Sequence, residues 1–183
     1  EGSDGLERHG KILSRVSGII RKDFVRASEE ANDQLTLWGK IWDASTGKLL
    51  HTLEGHERVI NEVAWSPDGQ HLASCSKDKT VKVWALSYFF FPLLHTLQCE
   101  GEFRSIAWSP DGQRLASTYG KLWEASSGKL LWKFSSVYCL SWSPDGQRLA
   151  SGDSDKTVKV LEASSGKLLQ TLEGHEDAIR SVA

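Results

Sequence analysis

The phrase Ser-Pro-Asp-Gly-Gln occurs three times in the chain, at Ser66–Gln70, Ser109–Gln113 and Ser143–Gln147. A second phrase runs in step with it, Asp43–Leu50 as DASTGKLL and then Glu124–Leu131 and Glu162–Leu169 as EASSGKLL. Two phrases recurring together make the chain an array of one small unit. Array proteins do most of their work through surfaces rather than buried reaction centres.

The clearest unit runs from about Val59 to Leu97. Val59–Trp65 is apolar and β-prone, and Ser66–Gly69 is a turn in which Pro presets φ and Gly takes the fourth place. His71–Ser76 reads as a second strand, Lys77–Lys79 as a tight polar turn, Thr80–Trp84 as a third strand and Leu93–Leu97 as a fourth. Four short antiparallel strands joined by hairpins form one small twisted sheet. The steps Trp42 to Trp84, Trp84 to Trp123 and Trp123 to Leu161 are 42, 39 and 38 residues. They bracket the period of propeller blades, and units full of Pro-Asp-Gly and Gly-Lys turns leave no room for the rival helical repeats. The fold predicted is therefore all-β, a partial or small β-propeller of about four four-stranded antiparallel blades.

Six of the eight tryptophans occupy two repeat positions. Trp65, Trp108 and Trp142 precede the Ser-Pro turn, and Trp42, Trp84 and Trp123 end the third strand. Burial of one such ring contributes up to ~4–6 kcal/mol by area. A periodic aromatic set of this kind points to packing between sheets, not to a ligand cage.

These residues resemble the WD-repeat (WD40) β-propeller family. The matching segments are Gly55-His56, the Ser-Pro-Asp-Gly-Gln turns, Leu72-Ala73-Ser74, Asp78–Trp84 as DKTVKVW, and Trp42-Asp43. The resemblance covers roughly Leu35 to Ala183, and it is especially close to the near-identical tandem repeats of bacterial and fungal regulators. It implies a structural hydrogen-bonded tetrad, which maps here onto His56, Ser74, Asp78 and Trp84. It also implies partner contacts near the entry of the first strand and beside the tight-turn Asp, at Arg58, Ile60, Lys77, Arg104 and Ser154. The function implied is a non-catalytic scaffold for a protein or peptide partner. The alternative is the C-terminal sensor segment of a larger NACHT-type NTPase or kinase protein.

Other chemistries lack their signatures. Ser, His and Asp occur within the structural phrase, but no GxSxG nucleophile turn accompanies them. Lys40 in Trp38-Gly39-Lys40 lacks the GxxxxGK[ST] context of a phosphate loop. Three cysteines, Cys75, Cys99 and Cys139, form no CxxC pair, so neither a disulfide framework nor a metal site is expected, and no cofactor is predicted. Reduced thiols suit the cytoplasm or the nucleus. The formal charge of −2 gives no overall pull toward nucleic acid, and no apolar run reaches membrane-spanning length.

The array is uneven. Residues 1–34 match the repeat poorly, with Lys11–Ile20 and Asp23–Ser28 as the first two strands of a worn blade and a basic stretch between Arg8 and Arg26. The remaining units fall at about 35–54, 55–98, 99–134, 135–172 and 173–183, the last being the start of a further blade or a closing strand. Ser117 to Trp123 is a step of 6 where Ser74 to Trp84 is 10, and Leu131 to Trp142 is 11 where Leu50 to Trp65 is 15. Both four-residue deletions are expected in loops, shortening hairpins and loosening those blades. The fourth unit has Leu161 in place of Trp, and the second carries an apolar loop, Leu86–Pro92 as LSYFFFP. That loop is either a docking spot, a segment folded back on its blade, or wear in the repeat. Met is absent even at position 1 and the chain stops in mid-unit, so it is expected to be part of a longer propeller or to self-associate to complete one.

Overall fold

In a computed structural model, residues 23–28, 37–43, 46–86, 91–101 and 104–183 are described. All regular structure among them is β, in consecutive antiparallel meanders. The first sheet holds β1 (Asp23–Ser28), β2 (Leu37–Asp43) and β3 (Leu49–His56). The second holds β4 (Ile60–Trp65), β5 (His71–Ser76), β6 (Thr80–Ala85) and β7 (Leu93–Gln98). The third holds β8 (Ile106–Trp108), β9 (Arg114–Ser117), β10 (Lys121–Glu124) and β11 (Leu130–Lys133). The fourth holds β12 (Cys139–Trp142), β13 (Arg148–Gly152), β14 (Val158–Glu162) and β15 (Leu168–Leu172). This is the architecture of a partial β-propeller, with each sheet a blade. Of the worn first blade, Asp23–Ser28 is a strand paired with β2, while Lys11–Ile20 lies outside the described residues.

Each Ser-Pro-Asp-Gly-Gln phrase builds the same turn. The Gly amide bonds back to the Ser carbonyl, Gly69 to Ser66, Gly112 to Ser109 and Gly146 to Ser143, at 2.8–2.9 Å. Gly69, Gly112 and Gly146 sit at φ 69°, 70° and 68°, the left-handed region where glycine is unstrained. The Asp carboxylate accepts the Gln amide at 2.9 Å in all three. Identical sequence thus fixes the exit angle of strand after strand.

Blades pack through equivalent positions. Leu72, Leu115 and Leu149 are fully buried, and Trp84, Trp123 and Leu161 close the same face of their own blades at 4%, 3% and 6% exposure. The opposite face of blade two (Ala73, Val81, Val83, Leu97) enters one cluster with Ile106, Trp108, Leu115 and Trp123 of blade three. Blades one and two meet through Ile41, Leu53, Leu72 and Trp84, and blades three and four through Ala116, Leu122, Leu140, Leu149 and Leu161. Two indoles stitch neighbouring inner strands together: Trp108 Nε1 donates to the Ala64 carbonyl at 3.0 Å, and Trp142 Nε1 to that of Ala107 at 3.2 Å. The tryptophans are packing residues, as their period predicts.

On the fourth strand of each blade, one position reaches across repeatedly to the next unit. His95 Nε2 donates to the Ser126 carbonyl at 3.0 Å, and Trp132 Nε1 to that of Ala163 at 3.1 Å. In the first blade the equivalent His51 ring lies 4.4 Å from the ring of Phe91, which packs against the cluster joining blades one and two. The described end of the apolar loop is therefore packed between blades; residues 87–90 lie outside the described set.

The deletions correct the sequence reading. The turn between β9 and β10 spans three residues, 118–120, the same length as 77–79 in blade two. What is lost is strand: β5 and β6 have six residues each, β9 and β10 four. Ser117 pairs with Lys121 and Ala116 with Leu122, just as Ser74 pairs with Lys82 and Ala73 with Val83. Removing two residues from each strand preserves the pleat, because side chains alternate with period two. Nor is the core loosened: Leu115, Ala116 and Leu122 are all fully buried. In the second deletion, too, the strands give way. β11 and β12 have four residues each, against eight in β3 and six in β4, while the connection grows from three residues to five.

Candidate functional site

Among the described residues two constellations carry polar chemistry, one inside a blade and one on the face formed by the strand ends. Inside blade two, β3 delivers His56, β5 delivers Ser74, the turn after it Asp78, and β6 Thr80 and Trp84. Trp84 Nε1 donates to Ser74 Oγ at 3.1 Å. Ser74 Oγ lies 2.8 Å from His56 Nε2, and His56 Nδ1 lies 2.7 Å from Asp78 Oδ2. A neutral imidazole with its proton on Nδ1 satisfies every partner: indole to hydroxyl, hydroxyl to Nε2, Nδ1 to carboxylate. Burial holds the His56 pKa below the ordinary histidine value, outweighing the attraction of the adjacent Asp78 carboxylate.

Asp78 is the hub. Its Oδ2 also accepts the Glu57 amide at 3.0 Å, and its Oδ1 accepts the Thr80 amide at 2.9 Å and the Thr80 hydroxyl at 2.6 Å. Burial pushes its pKa up, but the bonds from Thr80, His56 and Glu57 together bring it below the usual carboxylate range. The tetrad expected from the sequence is brought together in full. Thr80 is a fifth member that sequence reasoning missed, although the Asp-Lys-Thr spacing carried the signal.

The same residues resemble a Ser-His-Asp triad on paper. Here Ser74 is fully buried and its oxygen already engages both Trp84 and His56. No substrate carbonyl can reach it, so the network locks the hairpin and does not supply a nucleophile. In blade three the His and Asp are gone, and Ser117 Oγ is buried with no hydrogen-bond partner among the described residues. In blade four Asp155 is exposed and held by Thr157 and Lys159, with the Lys159 ammonium 2.5 Å away lowering its pKa to about 2. Among the described residues no cluster of His, Cys, Asp and Glu is arranged to hold a metal ion.

The second constellation lies where the three-residue turns and the blade-to-blade connections emerge together. Lys77 and Arg104 line one cleft of about 690 Å³ with Asn61, Thr118, Tyr119, Ser136, Val137 and Tyr138. The Arg104 guanidinium lies over the Tyr138 ring, 5.0 Å from its centre. Of the other predicted contact residues, Arg58 and Ser154 are exposed outside this cleft, and Ile60 is 6% exposed in the core. Ile60 presents no side chain to a partner. Tyr119, Tyr138 and Ser136 were not predicted; the signal was that both deletions fall beside them.

Four-stranded meanders packed face to face, with a Trp-Ser-His-Asp network in the intact blade, define a WD-repeat propeller. Comparison with known proteins agrees. The family model for the WD domain, G-beta repeat, matches residues 47–85, 91–122 and 128–161, and the chain belongs to that family. It is 32% identical over 144 residues to nuclear distribution protein PAC1 of Arthroderma otae, covering 79% of this chain and 28% of that protein. It is 37% identical to the WD repeat-containing protein 26 homolog of Arabidopsis thaliana, covering 44% of this chain and 15% of the relative. It is 38% identical to a probable cytosolic iron-sulfur protein assembly protein 1 of Botryotinia fuckeliana, covering 45% and 17%. The chain thus spans less than a third of the length of each of these relatives.

Proposed function

We propose that the protein is a non-catalytic interaction scaffold whose strand-end loops dock a protein or peptide partner. One observation carries the reading. The sole triad-like constellation among the described residues is sealed inside a blade, while cationic side chains stand on the loop face. Among the described residues neither Lys77 nor Arg104 is ion-paired with a carboxylate. Rigid blades hold these loops in fixed register, which lowers the ordering cost of docking. Neither the fold nor the relatives favour the alternative of a sensor segment behind an NTPase or kinase.

The partner is a protein and not nucleic acid or membrane, consistent with a charge of −2. Among the described residues no helix is long and apolar enough to cross a membrane. A cytoplasmic location fits the three free, buried thiols.

Cross-linking with mass spectrometry tests the platform. Partner cross-links are expected on residues 57–59, 77–79, 104–105, 118–120, 134–138 and 153–157, weakened by charge reversal at Arg58 or Arg104. Cross-links confined to the opposite end, at the Ser-Pro-Asp-Gly turns, would contradict it.

A further inference from the structure

The two deletions meet in space. The first rebuilds the turn 118–120 of blade three, and the second rebuilds the connection 134–138 into blade four. The Val137 amide bonds to the Thr118 carbonyl at 2.8 Å, and Ser136 Oγ reaches the same carbonyl at 3.4 Å. Because β9, β10, β11 and β12 have four residues each while β5, β6 and β7 of blade two keep six, a notch opens on the loop face. It is lined by Thr118, Tyr119, Ser136 and Tyr138 from the two rebuilt segments, with Lys77 of blade two and Arg104 beside them. Among the described residues no carboxylate lines it. Its volume, about 690 Å³, lies within the roughly 300–1,000 Å³ range of ligand clefts.

We propose that the shortened third and fourth repeats are a binding notch for a short acidic segment of a partner protein, its carboxylates taken by Lys77 and Arg104. The inference rests on the docking-platform reading and names the chemistry of its ligand. Arg104 is already held by its stacking on Tyr138, so its planar fork is oriented before a carboxylate arrives. Tyr119 and Tyr138 line the notch with rings rather than charges, against which the stems of Glu side chains can pack. The even deletion explains how the notch forms without damage to the core. Removing two residues per strand draws the turn 118–120 back and leaves Leu115, Ala116 and Leu122 buried.

The test is fluorescence anisotropy with a fluorescein-labelled heptapeptide of alternating Glu and Ser, beside Lys-Ser and Gly-Ser counterparts. Saturable binding of the Glu peptide alone is expected, weakening as salt rises from ~50 to ~300 mM. Lys77→Glu and Arg104→Glu are each expected to weaken it about tenfold or more, and Arg58→Glu less than about twofold. A graft replaces Thr118–Gly120 with the sequence of Cys75–Val81, refilling the notch with the longer hairpin. It should abolish binding while keeping the β-sheet circular dichroism spectrum. Equal binding of all three peptides, or Glu-peptide binding that survives Lys77→Glu with Arg104→Glu, overturns the proposal. So does preference for a phosphoserine peptide that excludes the Glu peptide, or for a single-stranded oligonucleotide. If the Glu peptide fails while cross-links still map to the loop face, the notch falls and the platform stands; cross-links to the opposite end remove the platform itself.

Discussion

Ser74 and Ser117 occupy the same place in two blades and have opposite energetics. Ser74 Oγ serves the Trp84 indole and the His56 ring, so Ser74→Ala strands two buried groups and should cost about 2–4 kcal/mol. Ser117 Oγ has no partner among the described residues, so Ser117→Ala should be neutral or stabilise by up to about 1 kcal/mol. Urea denaturation of the two variants gives the comparison directly. The His56 imidazole adds a pH dependence. Its folded pKa is depressed by burial, so the unfolded chain binds the proton more readily. The stability tied to neutral His56 is present above the unfolded value of about 6.5 and is lost as pH falls toward the lower folded value. The urea midpoint of the wild type should fall as pH drops below about 6.5, and this slope should flatten in His56→Gln. Asp78 is also depressed, so its contribution persists in that range and fails only in stronger acid, below about pH 4.

At the scale of strands and turns, the tight turn of blade three shows how a shortened hairpin stays sound. Gly120 has φ 73°, and a Cβ there would lie 2.1 Å from the Phe134 carbonyl oxygen. Gly120→Ala should therefore destabilise by about 3 kcal/mol or more, since both backbone strain and a clash with main chain arise. Gly47, at φ 68° with no atom of the described residues within 4 Å of such a Cβ, should cost only about 1 kcal/mol on the same change. Thermal melts of the two variants separate strain from clash. Strand positions were legible because turn chemistry and alternation agree: His71–Ser76 is found as read, and Thr80–Trp84 and Leu93–Leu97 each gain one residue. The placement of the deletions was not legible. A one-dimensional gap beside a turn looks like a shorter loop. The chain instead keeps a closable three-residue turn and gives up ladder pairs, a choice set by three-dimensional closure. Ile60 was misread for a similar reason: the entry of the first strand is near the loop face, but its side chain points into the seam with blade one, near Gly39.

For the whole molecule, the tetrad was legible because one repeat unit, residues 55–98, holds all four residues, whereas the notch was not, since it joins segments from three blades. Blade four shows what a half-covered face looks like, with residues 177–183 lying along it. Ala150, Val158, Val160 and Leu172 repeat the residues that blade three covers on blade two, yet Leu172 is 43% exposed where Leu97 is 6%. The chain studied by itself should therefore self-associate through that face. Sedimentation velocity should show a concentration-dependent rise in mass, suppressed by Leu172→Glu; a strict monomer at all concentrations removes this expectation.

That blades pack around one another through their tryptophans is tested most directly by hydrogen exchange at the indole N–H groups, followed by NMR. The protons of Trp108 and Trp142, which bridge to Ala64 and Ala107 of the preceding blades, should exchange as slowly as the backbone amides of β5 and β9. Exchange at the rate of free indole, with strand amides still protected, would mean that the blades fold singly and that no propeller joins them.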